Sequence, residues 1–397
     1  MDDHDHRRLA HRMDLFHLED EAPGQVFWHA RGLAVYRQLE GFIRGRMRRL
    51  GYEEVRTPEL LPRSLWERSG HWEKFSHAMF ALPRAEERDL ALKPMSCPAH
   101  AAIFNERRRS WRELPKRYCE FGQCHRDEPS GAMHGLLRTR AFEQDDGHVF
   151  CREADLAGEV GRIITLARDV YAALGFAPPE VALSLRPDLR AGSDAQWDWM
   201  EATLDKVARA NGLDPLPCPG EGAFYGPKLE FRLRDSQGRA WQCGTIQLDT
   251  VLPGRLGSRY VGPNGDFAEP LLIHHAILGS MGRMIGILLE EYKGRLPLWL
   301  APDQVAILPV SDDHLDAARA AVDALLMRDI RAICLDGSET LSRRIVQARG
   351  LEVPVLGVIG DREIASGSVA MRKGNSRESL ALDEIPGWLE ENGSRMP

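Results

Sequence analysis

Among its seven cysteines the 397-residue sequence contains no C-x-x-C pair. That spacing argues against both a disulfide framework and a zinc ribbon, and suits a reducing, cytoplasmic setting. No apolar run opens the chain. Met1-Asp2-Asp3-His4-Asp5-His6 is charged, so neither a signal peptide nor a membrane span is expected there. The two histidines of that run are expected to be solvated, with a metal site there as the weaker alternative. No excess of positive charge is present either. Net charge is −7, so any contact with nucleic acid has to come from a local patch. Internal repeats and long low-complexity tracts are also lacking. What remains is 43% apolar residues, over a length that suits one sizeable domain and a smaller one.

Periodicity orders much of the chain. Leu33, Tyr36, Leu39 and Phe42 recur near helical spacing, which predicts a helix over about 30–50, stopped at Gly51. A short strand ending at Pro58 follows. Helices are expected over 154–174 and 193–210, with Pro178-Pro179 between them, and strands over 229–233 and 240–249. Residues 271–292 read as a strand, a small-residue turn and an apolar helix. Arg283 stands in that helix among Met281, Met284, Ile285 and Ile287. An arginine is rarely buried without a partner, so a phosphate or a carboxylate is expected beside it. After a link at 296–302 the pattern changes. Strands over 305–310, 330–335, 353–359 and 369–372 are interleaved or closed by helices over 312–328, 338–349 and 382–392, an α/β layer pattern.

The most informative stretch is Tyr118 to Cys151. It reads as a strand over 118–128, a break at Pro129-Ser130-Gly131 and a second strand over 136–151. Two arginines and an aromatic ring on facing arms can hold a phosphate and a flat base together. Taken bare, the same residues also fit a surface hairpin with scattered charge. Elsewhere, Cys97 and His100 offer a local metal pair or ordinary core positions, and a lone His71 is usually structural.

Gln123-Cys124-His125-Arg126-Asp127-Glu128-Pro129-Ser130-Gly131, with His134-Gly135-Leu136 and Arg138-x-Arg140-x-Phe142-x-Gln144-Asp145-Asp146-x-His148, closely resembles motif 2 of the threonyl-tRNA synthetases, which are class II aminoacyl-tRNA synthetases. The helix, strand and proline of residues 30–58 resemble motif 1, the dimer-forming element of that family. Residues 271–292 resemble motif 3. Ser69-Gly70-His71-Trp72, Lys93-Pro94-Met95-Ser96-Cys97-Pro98-Ala99-His100, Phe224-Tyr225-Gly226-Pro227-Lys228 and Gln242-Cys243-Gly244-Thr245-Ile246-Gln247 resemble further family segments. The resemblance covers nearly the whole chain.

The resemblance implies an α+β class II synthetase catalytic domain over residues 1–300, an antiparallel sheet with helices. A smaller α/β anticodon-binding-like domain follows over 301–397. It implies ATP-dependent activation of threonine and transfer to the 3′ end of tRNA by a homodimer free of membranes. Arg126 is then expected at the α-phosphate, and Arg283 at the γ-phosphate and over adenine, with Phe142 on the other face. Glu128 would meet the adenine edge, Arg138 would support the triphosphate, Gln242 would also contact ATP, and Mg²⁺ would accompany it. Cys97, His148 and His274 would hold one Zn²⁺ per chain. Asp146 would accept from the threonine hydroxyl, while Tyr225, Lys228, Gln242 and Gln247 would line the pocket. His71 would help to activate the terminal ribose hydroxyl.

Several positions depart from the family pattern. Ser96 stands for asparagine, Ala99 for glycine, His275 for arginine, and Val346 for an arginine near the anticodon. The usual bacterial enzyme also carries N-terminal domains, one of them hydrolytic toward seryl-tRNA. The resemblance here starts at about His4, so those domains are expected to be missing, cut away or naturally absent. Residues 301–397 carry 11 Lys/Arg against 16 Asp/Glu, a poor generic binder of phosphate backbone. Two other readings therefore stay open. One is a paralogue that activates threonine or a related amino acid and loads a carrier protein or small molecule. The other is a non-catalytic regulator that keeps the fold.

Overall fold

The computed structural model describes residues 3–83, 89–235, 237–336 and 339–397. Met1 and Asp2, and the expected helix start at Ser338, lie outside the described residues. The chain forms two compact units, one of residues 20–25 and 43–284, the other of residues 1–19, 26–42 and 285–397.

The first unit is built on an eight-stranded sheet. In chain order its strands are β1 (Glu53–Glu54), β2 (Lys116–His125), β3 (Ala141–Cys151), β4 (Glu180–Ser184), β5 (Leu216–Cys218), β6 (Lys228–Arg234), β7 (Ala240–Asp249) and β8 (Leu271–Ala276). Their order across the sheet is β5-β4-β6-β7-β8-β3-β2-β1. The six strands from β4 to β2 pair antiparallel, and β5 and β1 add parallel edges. Helices over Glu153–Ala173 and Asp194–Ala210 carry apolar residues at helical spacing, among them Leu156, Val160, Ile163, Ala167 and Val170, and bury them. The helix expected over 30–50 runs from Ala30 to Arg49 and stops before Gly51, which takes φ 78°.

One expectation fails inside the central hairpin. The second arm does not begin at Leu136. A short turn covers Ser130–Ala132, and β3 starts at Ala141. Arg138 and Arg140 therefore sit on a loop rather than on a strand. The loop is tied down by polar bonds: Arg126 N–H donates to Arg140 C=O, and Arg140 N–H to Gly24 C=O, both at 2.8 Å.

The second unit has a five-stranded sheet of β9 (Val305–Pro309), β10 (Ala332–Cys334), β11 (Val355–Ile359), β12 (Ser368–Lys373) and β13 (Ser376–Ala381), in the order β10-β9-β11-β12-β13. The first three strands pair parallel and the last two antiparallel. β9 is buried on both faces. Val305 and Ile307 pack with Leu325, Met371 and Trp388, whereas Ala306 and Leu308 pack with Ala348 and Leu356. A continuous apolar run is what such a two-sided strand requires. The 361–366 helix and β13 were not anticipated; the expected helix over 312–328 divides into a turn at Asp312–His314 and a helix over Leu315–Leu326. One of the amino-terminal histidines also departs from expectation. His6 is fully buried, its Nδ1 2.7 Å from Glu290 Oε1. Among the described residues no helix is long and apolar enough to cross a membrane.

Candidate active site

Strand alternation aligns one face of β3. Phe142, Gln144, Asp146 and His148 are spaced by two, so all four point the same way, and all four line one cavity of about 360 Å³. Register extends the row sideways. His148 is opposite His274 on β8, His274 opposite Gln247 on β7, and Gln247 opposite Lys228 on β6. A bulge in β7 opposite Phe231/Arg232 brings Gln242 onto the same face as Thr245, three residues away. The Gln242 Nε2–Thr245 Oγ1 distance is 2.7 Å.

At one end of the cavity the donor atoms of Cys97, His148 and His274 lie within 4.8 Å of one another. All three residues are buried. Cys97 opens the helix α1 (Cys97–Asn105), so its position is fixed by a helix start rather than by the sheet. His148 Nε2 and His274 Nδ1 are 3.0 Å apart. Zinc bonds of about 2.0–2.3 Å at tetrahedral angles bring donor atoms to about 3.3–3.7 Å, so the set fits zinc with one position left open. Burial pushes the Cys97 thiol well above its usual range, and nearby Asp146 and Asp249 add to this. Burial pushes His148 well below its usual range, with His100 and His274 adding to it. A site that suppresses its own protonated imidazole and offers a sulfur without a counter-charge is suited to a cation.

Other residues frame this end. Asp146, pushed upward by burial, accepts from Ser96 N–H at 3.3 Å. Gln247 Nε2 donates to Gly226 C=O at 3.4 Å, and the Tyr225 ring lies 5.2 Å from that of His274. Lys228 is paired to Glu230 at 2.7 Å. His100 does not join Cys97 in a metal pair. Its Nε2 faces Glu120 at 3.1 Å, and Glu120 also receives Lys93 and Thr57. His71 sits beside the cluster, with Nε2 3.8 Å from Cys97 Sγ. Ser69 donates its hydroxyl to Trp66 C=O at 3.0 Å, so His71 Nδ1–H donates to Ser69 Oγ at 2.8 Å. The free lone pair of His71 is thus on Nε2. Burial pushes this imidazole down to about 3.

The other end is arginine-rich and half-open. Arg126 Nε donates to Pro94 C=O at 3.2 Å, and its guanidinium carbon lies 5.1 Å from the Phe142 ring centre. Arg138 pairs with Glu128 at 2.8 Å. Among the described residues Arg283 bonds to no carboxylate, the alternative to a phosphate that the sequence raised. Two backbone carbonyls take its place, Leu137 at 2.8 Å and Gln242 at 2.6 Å. Burial lowers its affinity for the proton. Arg126, Glu128, Arg138, Phe142, Gln242 and Arg283 all border the cavity.

The departures noted in the sequence leave these contacts intact. The His275 ring points to the opposite face of the sheet from His274, 5.1 Å from the Tyr52 ring. It fills the space above Gly147, where a β-carbon would come within 2.2 Å of it. Ser96 and Ala99 are buried small residues beside the cluster.

Two aspartates escaped the sequence reading. Asp145, on the reverse face from Asp146, accepts from the N–H groups of Ile277, Leu278 and Gly279 at 2.8–2.9 Å. It clamps the turn that leads into α2 (Met281–Glu291) and hence places Arg283. Gly279 takes φ 77° there, and a β-carbon would meet Cys243 C=O at 2.5 Å. Asp249 faces His274. The adjacent Asp145-Asp146 pair was a usable signal, because alternation must send one carboxylate to each face.

A mixed sheet with an arginine-bordered cavity, fed by a strand-loop-strand hairpin and a strand-turn-helix, defines a class II tRNA synthetase core. Residues 80–292 match the family described as tRNA synthetase class II core domain (G, H, P, S and T), and residues 304–392 match the anticodon binding domain family. A threonine–tRNA ligase of Caulobacter vibrioides is 51% identical over 96% of this chain and 58% of its own length. The crystal structure of the RNA binding domain of threonyl-tRNA synthetase from Cryptosporidium parvum Iowa II has a TM-score of 0.94 and 35% identity, covering 98% of this chain and 99% of that one. Giardia lamblia prolyl-tRNA synthetase, solved with prolyl-adenylate, shares the fold at a TM-score of 0.74 and 16% identity, over 95% of this chain and 74% of its own. The chain belongs to the threonyl-tRNA synthetase family. It spans 58–60% of the length of the curated relatives it matches.

Proposed function

We propose that this chain activates threonine with ATP and passes it to the 3′ end of a tRNA. The observation that carries this reading is the meeting of Cys97, His148 and His274 in the same cavity as Arg126 and Arg283. Activation is attack of the threonine carboxylate on the α-phosphorus of ATP. That nucleophile is already ionised, so the chain has to supply position and charge rather than a base. Arg126 is held at Nε by Pro94 C=O, which leaves its remaining N–H groups for the α-phosphate. Arg283, braced by two carbonyls, serves the γ-phosphate and one face of adenine. Phe142 offers the other face, Glu128 the adenine edge, and Arg138 a further positive charge. Mg²⁺ accompanies the triphosphate.

Cys97, His148 and His274 would hold Zn²⁺, which when bound supplies an open Lewis-acid position for the amino and hydroxyl groups of threonine. Asp146 accepts from the hydroxyl. Tyr225, Lys228, Gln242 and Gln247 close the pocket around the methyl and carboxylate groups. His71, neutral and with its lone pair on Nε2, is prepared to take a proton from the terminal ribose hydroxyl during transfer.

The same reading assigns residues 1–300 to a catalytic domain and 301–397 to an anticodon-binding-like domain, a homodimer through the helix and strand of residues 30–58, and a cytoplasmic setting. A second reading, loading of a carrier protein, is favoured by the acid excess of residues 301–397 and by the exposed Val346. Threonine-dependent ATP–pyrophosphate exchange, run beside charging of total tRNA, separates the two. Both activities support the first reading. Exchange without charging supports the second, and no exchange refutes both.

A further inference from the structure

We propose that Asp249 fixes the ring tautomer of His274, holding the Nδ1 lone pair toward the position shared with Cys97 and His148. The inference rests on the metal reading given above and adds a positioning residue to it.

Asp249 ends β7 and is fully buried. Its two oxygens have separate tasks. Oδ1 accepts from the N–H groups of Val251 at 2.6 Å and Leu252 at 2.9 Å, at the start of the short helix Leu252–Arg255. Oδ2 lies 2.9 Å from His274 Nε2. A carboxylate can only accept, so Nε2 carries the hydrogen and Nδ1 carries the lone pair. The neighbouring contact is consistent with this. His148 Nε2 lies 3.0 Å from His274 Nδ1, so the two rings meet at the position they share with Cys97. Among the described residues His148 has no comparable anchor: its Nδ1 is 3.6 Å from Asp146 Oδ1. Of the two imidazole ligands only His274 is preset by a carboxylate, which is the usual way of orienting a metal-bound histidine.

Asp249→Asn tests this with little change of shape. The two backbone N–H groups keep the amide oxygen on their side, which turns the NH₂ group toward His274. The ring must then accept at Nε2 and carry its hydrogen on Nδ1, the wrong tautomer for the metal. Zinc affinity of the 397-residue chain, measured by competition with a chromophoric chelator, is expected to fall by about 10–100-fold. In Cys97→Ala, zinc binding is lost outright. Wild-type zinc affinity in Asp249→Asn, with zinc lost in Cys97→Ala, overturns the positioning role while leaving the metal reading intact. A wild-type chain that binds no zinc overturns both. If Asp249→Asn does not fold, long-range ¹H–¹⁵N spectra of zinc-loaded wild type decide the matter. A His274 ring protonated at Nε2 is the expected result, and one protonated at Nδ1 overturns the proposal.

Discussion

The two ends of the cavity are built on opposite principles. At the end proposed for the amino acid, the donor atoms are buried and aimed at one another, with the Cys97 thiol pushed up and the His148 imidazole pushed down by burial. At the end proposed for the nucleotide, the partly buried Arg126 and Arg283 are braced by backbone carbonyls and the exposed Arg138 by Glu128. Burial without compensation is costly, so the first end bears its cost in advance and gains selectivity. The second end is more open, and a polyanion seated there, as proposed above, would need only correctly directed charge. Selectivity and turnover should therefore respond to different substitutions.

The largest effect is expected at the buried end. Cys97→Ala should lose zinc, and with it a Lewis-acid centre worth several kcal/mol. Threonine-dependent pyrophosphate exchange should then fall by about 10³-fold or more. ATP binding, read by equilibrium dialysis, should persist. Full zinc occupancy in this variant contradicts the ligand set. Arg283→Ala addresses the other end. Loss of one charge donor should lower exchange by about 10²–10³-fold, with zinc content by metal analysis unchanged. A loss of zinc together with exchange would erase the distinction between the two ends.

Substrate choice probes the buried end by itself. Serine keeps both groups a metal would chelate and lacks one methyl, so the pocket should disfavour it by only about 10–200-fold. Valine lacks the hydroxyl and leaves buried polar groups unpaired, so its rejection should reach about 10⁴-fold. Exchange assays with the three amino acids give both ratios; equal rejection of serine and valine would contradict chelation.

The last effect, on stability rather than on rate, concerns support beneath the site. Burial alone would raise the Glu120 carboxyl, but bonds from His100, Thr57 and Lys93 outweigh it and hold the group down to about 2. A depressed carboxylate contributes stability above its unfolded value and loses it as pH falls toward the folded one. Stability should decline between about pH 4.5 and 2, by on the order of 2–3 kcal/mol. Glu120→Gln should flatten that part of the acid-unfolding curve, measured by circular dichroism. An unchanged slope would remove Glu120 from the account.

Much of this was legible in the sequence. Phe142-x-Gln144-x-Asp146-x-His148 displays its shared face by spacing alone, and the resemblance of the surrounding segments led to Cys97 and His274, distant in sequence. What stayed hidden depends on partners. Arg283 gave no sign that backbone carbonyls would satisfy it, because every peptide unit offers the same acceptor. The loop at Arg138 and Arg140 was read as strand because its ties to Gly24 and Glu128 are not periodic. Bulging of β7, which brings Gln242 beside Thr245, leaves no compositional trace. His6 looked solvated because the approach of Glu290, distant in the chain, cannot be read from a charged N-terminal run.

The most direct test of the two-ended site is threonine-dependent ATP–pyrophosphate exchange on the 397-residue chain, before and after chelation and again after zinc is restored. Exchange should collapse in the metal-free protein while ATP binding persists, and should return with zinc. Exchange that continues unchanged in protein verified to be free of zinc would contradict the account.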